Sequence, residues 1–442
     1  FIKFNLTQLL THTVMAHFMM LQNPTHFLHT PTHTHMRQII LPLLLFFVVI
    51  SEIYTFIAVK EATKTRWFHW VYLAVSLIII AYIVYSFTQF DRSKGQTRQT
   101  LFTIGLMLIT VVPKLLLTVV MLGEDIYRFF SGCIRAFAGQ TGEPFLADRR
   151  RFVSLTALGL AAVPFLSLLY GMTKGKYNFK VRKETILFPD LPDAFDGFTL
   201  TQISDVHSGS FDNKEKIEYA IDLINEQKTD IVLFTGDIVN THAKEMHPWI
   251  ETFKRIHTPK FGKYSVLGNH DYGEYVPWPT EAEKDANFNA IKDLHRQIDF
   301  KLLLNEHIKL QKDGQEIALV GVENWGHNFK KAGDLNKASQ GLGKDDFKIL
   351  MSHDPSHWDL EVQKDERHYQ LTLAGHTHGF QFGIEIPGFF KWSPVQYVYK
   401  QWAGLYENLG RYIYVNRGFG FHAYPGRVGI WPEITVLTLK KG

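Results

Sequence analysis

Five short segments of this 442-residue chain concentrate the residue types that ligate metal ions. They are Asp205-Val206-His207, Gly236-Asp237, Gly268-Asn269-His270-Asp271, Ser352-His353-Asp354-Pro355 and Gly375-His376-Thr377-His378-Gly379. Each follows an apolar or β-branched run: Thr199–Ile203, Ile231–Phe234, and residues 264–267, 347–351 and 370–374. Such runs read as buried strands, and α/β folds place chemistry at the C-terminal ends of parallel strands. In extended backbone, residues two apart share a face, so Asp205 and His207 can reach one ion together, as can His376 and His378. Asp237, a single carboxylate at a strand end, can bridge two ions. The adjacent glycines let the backbone turn sharply. One such pair alone is as readily chance or a core histidine. Seven oxygen or nitrogen ligands, all at strand ends, are not explained by packing, because buried unpaired carboxylates and imidazoles are costly without a cation. Mixed histidine and carboxylate donors without cysteine suit Zn, Mn or Fe(II) better than Ca or Mg.

The elements that must position these groups follow the same texture. Further strands are read at residues 317–322, 412–415 and 434–439, and helices at residues 214–227 and 281–296. Alternating strands and helices, then mostly strands, describe a layered α/β domain over residues 195–442. A basic stretch, residues 173–194, reads as the linker into it.

The first part of the chain is different. Residues 1–35 are rich in histidine, threonine and proline, and Met36-Arg37 then opens an apolar run. Met36 is read as the natural start, and residues 1–35 as a non-native or disordered leader. Residues 39–59, 68–87, 101–122 and 152–170 are apolar stretches near the ~20 residues that cross a bilayer. A membrane domain of four transmembrane helices is therefore expected over residues 36–172. Glu52 and Pro113-Lys114 fall inside these spans, where ionisable groups serve either helix contacts or function. Trp67, Trp70 and Tyr72 fit an interfacial aromatic belt. Positive charge is nearly balanced across the spans. Arg149-Arg150-Arg151-Phe152-Val153 resembles a twin-arginine export signal, which would put the C-terminal domain outside the cytoplasm. The net charge of +4 is small and spread, so nucleic acid is not an expected partner. The lone Cys133 excludes an internal disulfide framework and a thiolate zinc cluster.

The ordered set D-x-H, G-D, G-N-H-D, H-D-P and G-H-T-H resembles that of the calcineurin-like metallophosphoesterase superfamily, over about residues 195–440. The membrane-anchored bacterial branch is the nearest in look, and Asn416-Arg417-Gly418-Phe419-Gly420, Pro425-Gly426-Arg427 and Pro432-Glu433-Ile434-Thr435 also fit it. The resemblance implies a four-layer α/β/β/α sandwich with two divalent metal ions. One ion would take Asp205, His207 and His378, the other Asn269, His353 and His376, and Asp237 would bridge them. His270 would not be a ligand; it would protonate the leaving oxygen or stabilise developing charge. Asp271 would orient that imidazole or cap its loop. One departure stands out: the branch often reads G-H-T-H-G-G-Q, and here Phe380 stands at the second of those glycines.

The expected protein is thus a dinuclear-metal-dependent phosphoesterase anchored in a bacterial cytoplasmic membrane. A phosphodiesterase or pyrophosphatase on a lipid-linked or cell-envelope substrate is the first reading. A phosphomonoesterase or protein phosphatase is the alternative, ahead of a metal-binding scaffold or a membrane sensor. Arg417, Arg427 and His422 are candidate contacts for the substrate phosphate. Aromatic loops around Tyr275 and Trp278, and from Phe380 through Phe389, Phe390, Trp392, Tyr397 and Tyr399 to Trp402, are candidates to meet the membrane interface or an acyl chain.

Overall fold

The computed structural model describes the backbone of residues 32–139 and 147–442, with side chains of residues 46–139 and 149–442. Of the leader read over residues 1–35, residues 1–31 lie outside the described residues, and residues 32–35 are helical. The chain divides into two compact units, one ending at Gln89 and resuming over Leu106–Leu166, the other comprising Phe90–Gly105 and Ser167–Gly442.

Four helices, α1 (Thr32–Ala62), α2 (Arg66–Thr88), α3 (Arg98–Phe137) and α4 (Ala147–Thr173), account for the apolar first part. Segments Arg66–Thr88, Arg98–Phe137 and Arg149–Thr173 are long and apolar enough to cross a membrane, with mean hydropathies of 2.1, 2.3 and 2.1. The expected span 39–59 lies in α1, and many of its side chains fall outside the described residues. Apolar side chains such as Ile78, 67% exposed, face outward, as a lipid-facing surface requires. Polar groups face one another instead. Lys114 Nζ donates to Glu52 (2.5 Å) and to Ser76 (2.7 Å), and the Tyr72 hydroxyl donates to Glu52 (2.8 Å). Opposite charges in a low dielectric neutralise each other here, which is the helix-contact role. Arg149 and Arg150 are likewise paired, with Glu124 at 3.3 Å and Asp125 at 2.5 Å respectively. The arginine run thus has a structural use within the helical unit.

The second unit holds two six-stranded sheets. The first comprises β1 (Lys180–Phe188), β2 (Thr199–Ile203), β3 (Ile231–Phe234), β4 (Lys263–Ser265), β5 (Lys301–Leu302) and β14 (Glu433–Lys441), ordered β1-β14-β2-β3-β4-β5. The second comprises β6 (Glu306–Lys312), β7 (Gln315–Gly321), β8 (Lys348–Met351), β9 (Leu371–Ala374), β12 (Gly404–Asn408) and β13 (Arg411–Val415), ordered β12-β13-β9-β8-β7-β6. A hairpin of β10 (Ile384–Ile386) and β11 (Phe390–Trp392) stands apart.

Side-chain alternation builds the layers. Ile231 and Leu233 of β3 enter a core shared with Ile317, Leu319, Ile349, Met351, Leu371 and Leu373 of the other sheet. Val232 and Phe234 turn the opposite way, onto Ile217 and Ile221 of α5 (Lys214–Glu226) and Ile291 and Leu294 of α7 (Glu281–Gln297), beside the short α6 (Ile250–Lys254). On the far side, Val320 and Leu350 meet Leu335 of α8 (Leu335–Ala338) and Trp358 of α9 (Ser356–Leu360). The result is the expected α/β/β/α sandwich. Its central strands are covered on both faces, which is why they read as continuous apolar runs.

One expectation fails. Residues 173–194 are not simply a linker, because Lys180–Phe188 forms β1 and pairs in parallel with β14 from Lys180↔Glu433 to Phe188↔Lys441. Being an edge strand, it buries only Ile186 and Phe188 fully and leaves Lys180, Lys183, Glu184 and Thr185 exposed. Its polar composition therefore hides its pairing.

Register brings the motifs together. Ile203 pairs with Phe234 and Phe234 with Ser265, so the ends of β2, β3 and β4 lie level. Met351 pairs with Leu373, which aligns the ends of β8 and β9.

Candidate metal centre

Three of the five motifs leave their strands through unusual backbone. Asp205, His207, Asp237, His376 and His378 have φ of 53°, 45°, 61°, 70° and 50°. L residues seldom adopt this region, and it persists only where the surroundings over-determine it. Contact between strand ends also demands glycine: a Cβ at Gly236 (φ 100°) would lie 2.5 Å from the Gly268 nitrogen.

These turns gather two groups, the buried Asp205, His207 and His378, and Asp237 with His353 and the half-buried His376. Within each group the ligand atoms lie within 4.8 Å of one another. His378 Nε2 is 3.2 Å from Asp205 Oδ1 and 3.0 Å from His207 Nε2. His353 Nε2 is 3.1 Å from Asp237 Oδ2, and His207 Nε2 approaches the same oxygen at 3.5 Å. One carboxylate oxygen of Asp237 thus lies between the groups. Asn269 Oδ1 joins the second group, 2.8 Å from His376 Nδ1.

The donor chemistry fits cations. His353 Nδ1–H donates to the Thr235 carbonyl at 2.7 Å, so its Nε2 lone pair is the atom presented to the site. Among the described residues, His353 Nε2, His207 Nδ1 and Asp354 Oδ2 are buried without hydrogen-bond partners. Burial pulls His353 down, but the charges of Asp237 and Asp205 outweigh it and hold the imidazole up at about 10. A pocket that draws a proton onto a wholly buried imidazole has a negative charge to neutralise, and divalent ions would do so.

His270 and Asp271 part company. His270 Nδ1–H donates to the Asn240 carbonyl at 2.7 Å, and its ring stacks on Tyr275 with centroids 4.3 Å apart. Its backbone N–H donates to Asp237 Oδ1 at 2.8 Å. Burial lowers the imidazole's pKa, and Asp237 partly offsets that. Asp271 does not orient this ring. Its carboxylate accepts from the backbone N–H groups of Gly268 (2.9 Å), Asp237 (3.0 Å) and Ile238 (2.9 Å). Burial and the neighbouring Asp237 charge push its pKa up to about 7. The loop-capping role is the one the geometry supports, and Asn240 takes the orienting role through its backbone. Asp271→Ala would strand three buried donors, an expected loss of about 3 kcal/mol. Asp271→Asn keeps one acceptor oxygen and should cost about 1 kcal/mol. Denaturant unfolding of the full chain in detergent measures both.

Comparison with known proteins bears on this geometry. Residues 198–380 match the family model described as calcineurin-like phosphoesterase, and residues 36–176 match one described as probable calcineurin-like phosphoesterase, transmembrane domain. An uncharacterized metallophosphoesterase of Bacillus subtilis, YkuE, is 32% identical over 268 residues, which are 60% of this chain and 86% of that one. The chain belongs to the calcineurin-like phosphoesterase family. A transmembrane protein with metallophosphoesterase domain from Danio rerio is 26% identical over 65% of this chain and 63% of its own length. A second uncharacterized metallophosphoesterase of Bacillus subtilis, YkoQ, is 23% identical over 63% of this chain and 97% of its own. This protein is therefore a membrane-associated calcineurin-like metallophosphoesterase.

Two arginines expected at the phosphate stand elsewhere in this phosphoesterase. Arg417 is buried and held by Glu433 and Glu385, both at 2.6 Å. Arg427 is wholly buried behind His378, 3.2 Å from its Nδ1, and donates to the carbonyls of Gly418 (3.1 Å) and Gly420 (2.9 Å). Both are tied into the loop that carries the site. His422 does lie at the site, its ring 4.5 Å from that of His270 and 4.9 Å from that of His207.

Phe380 holds φ 51°, the conformation glycine would adopt, at a cost of about 1 kcal/mol. Its ring packs on Val395, Trp402, Ala403 and Ile430, which offsets that cost. Sequence reasoning did not assign Tyr275 and Tyr399 to the metal ligands. Asn269 Nδ2 donates to the Tyr275 hydroxyl (2.5 Å), and the Tyr399 hydroxyl lies 2.8 Å from His376 Nε2. The only signal was that each follows a ligand motif in an aromatic loop.

Proposed function

We propose that this metallophosphoesterase hydrolyses a phosphodiester or pyrophosphate bond of a lipid-linked or cell-envelope substrate, its catalytic domain on the outer side of a bacterial cytoplasmic membrane. The observation that carries the hydrolytic reading is the sharing of Asp237 Oδ2 between two Asp/His groups, with the His270 imidazole anchored beside them. Asp205, His207 and His378 would hold one divalent ion, Asn269, His353 and His376 the other, and Asp237 both. Bound Mn, Zn or Fe(II) would supply Lewis acidity for the phosphoryl oxygens and the attacking water. The chain's own contribution is orientation and proton delivery. With Nδ1–H fixed on the Asn240 carbonyl, His270 hands a proton from Nε2 to the departing oxygen from its imidazolium form and is left as the neutral Nδ1–H tautomer. Tyr275, stacked on the ring, restricts its plane.

Membrane helices in the same chain support a lipid-linked substrate. So does the β10–β11 hairpin, which exposes Ile384, Ile386, Phe390 and Phe389, the last 86% exposed. An apolar, aromatic-tipped hairpin suits insertion among acyl chains or headgroups. The arginine run at the start of the last membrane helix favours export, and a topology reporter fused to the C-terminus tests it.

The function is tested with the full chain in detergent, stripped of metal and assayed with Mn, Zn, Fe(II), Mg or none. Bis(p-nitrophenyl) phosphate hydrolysis should return with metal and exceed that of p-nitrophenyl phosphate. A micellar diester should be cleaved faster than its soluble analogue. Preference for the monoester would promote the phosphomonoesterase reading. Equal rates on micellar and soluble diesters would remove the lipid-linked part, and no metal-dependent turnover of any ester would remove the enzyme.

A further inference from the structure

Residues 89–97 join α2 to α3, two helices long and apolar enough to cross a membrane. Yet Phe90–Gly105 groups with the phosphoesterase domain. The turn docks beside site motifs. Ser93 offers its carbonyl to His242 Nε2 at 3.2 Å, five residues past Asp237. Gly95, at φ 62°, lies so close that a Cβ would meet Val276 Cγ1 at 3.3 Å and Thr241 Oγ1 at 3.5 Å. Val276 closes the loop that carries His270 and Tyr275. Gln96 reaches furthest, with Oε1 3.1 Å from the Ala423 nitrogen and Nε2 3.0 Å from His422 Nε2.

That last contact has a direction. A backbone N–H can only donate, so Ala423 fixes Gln96 Oε1 on its side and turns the amide NH2 toward His422. An amide NH2 also only donates, so His422 Nε2 accepts. A neutral His422 then carries its proton on Nδ1. Among the described residues Nδ1 has no hydrogen-bond partner, and the ring lies 4.5 Å from His270.

We infer that the turn between α2 and α3 is a wall of the active site, and that Gln96 is a positioning residue holding His422 as an Nδ1–H donor beside His270 for an oxygen of the phosphoester. The inference rests on the phosphoesterase reading above and narrows it. A wall made from this turn suits a phosphoester in the headgroup region.

A simple docking bond is the competing account, and Gln96→Glu separates the two. Glutamate keeps an oxygen for the Ala423 N–H but presents an acceptor to His422, so docking survives and the tautomer inverts. The readout is 15N-histidine NMR of the metal-loaded full chain in nanodiscs, with the His422 signals assigned by their loss in His422→Gln. Wild type should show Nδ1 protonated, and Gln96→Glu should show Nε2 protonated. On bis(p-nitrophenyl) phosphate, Gln96→Glu and Gln96→Ala should both lose about 10–100-fold in kcat/KM, mainly in kcat, at unchanged metal content. An unchanged His422 tautomer in Gln96→Glu, or wild-type kcat/KM in that variant, overturns the inference. If wild type shows no hydrolysis, the phosphoesterase reading fails, and the tautomer still decides the role of Gln96.

Discussion

Asp237→Ala is expected to lower kcat/KM on bis(p-nitrophenyl) phosphate by at least about 10^3-fold and to release bound metal. Asp237 meets both ligand groups and the His270 loop. Its Oδ2 lies 3.1 Å from His353 Nε2 and 3.5 Å from His207 Nε2, one from each ligand group. Its Oδ1 accepts the His270 backbone N–H at 2.8 Å. Alanine therefore removes the shared ligand and also frees the loop carrying the proton donor. Asp237→Asn separates these effects. It retains an oxygen for His270 while losing the negative charge that two cations would share, so metal content should still fall while the fold is kept. Elemental analysis of the full chain, beside the kinetics, reads both. Retention of the wild-type metal content by both variants, with little loss of rate, would remove Asp237 from the centre of the site.

The parts of this site legible from sequence were those in which residue type is itself the chemistry. Asp205, His207, Asp237, Asn269, His353, His376 and His378 announce themselves because few side chains ligate metal and because period-two spacing puts neighbours on one face. The central strands were legible because burial on both faces leaves no room for polar residues. Strand β1 was not, since an edge strand that buries mainly Ile186 and Phe188 looks like a charged linker. The role of Asn240 is invisible in principle, because its backbone carbonyl does the work and any residue supplies one. Asp271 was ambiguous because a carboxylate in a loop can face either a side chain or backbone N–H groups. Arg417 reads as a free cation until the fold brings Glu385 and Glu433 to it, 32 and 16 residues away in sequence. Gln96 lies further still, 326 residues from His422, in a turn that reads only as a link between membrane helices.

His270→Ala should differ from the Asp237 variants in kind. It should leave metal content intact and lower kcat, because the ring makes its bonds outside the ligand groups, to the Asn240 carbonyl through Nδ1 and to Tyr275 through stacking. The size of the loss should depend on the leaving group. p-Nitrophenolate departs without a proton, so only lost charge stabilisation is felt there, about 10^2-fold. An alkyl leaving oxygen is strongly basic and needs its proton in the transition state, so the loss should reach about 10^4-fold. Measuring kcat of wild type and His270→Ala on a p-nitrophenyl diester and on an alkyl diester gives the ratio directly. Equal losses on both would mean that His270 stabilises charge without donating a proton. Lost metal would mean that the imidazole supports the ligand groups after all. A loss confined to the alkyl ester would assign proton delivery to His270 and explain why the fold fixes its other nitrogen on a carbonyl that can only accept.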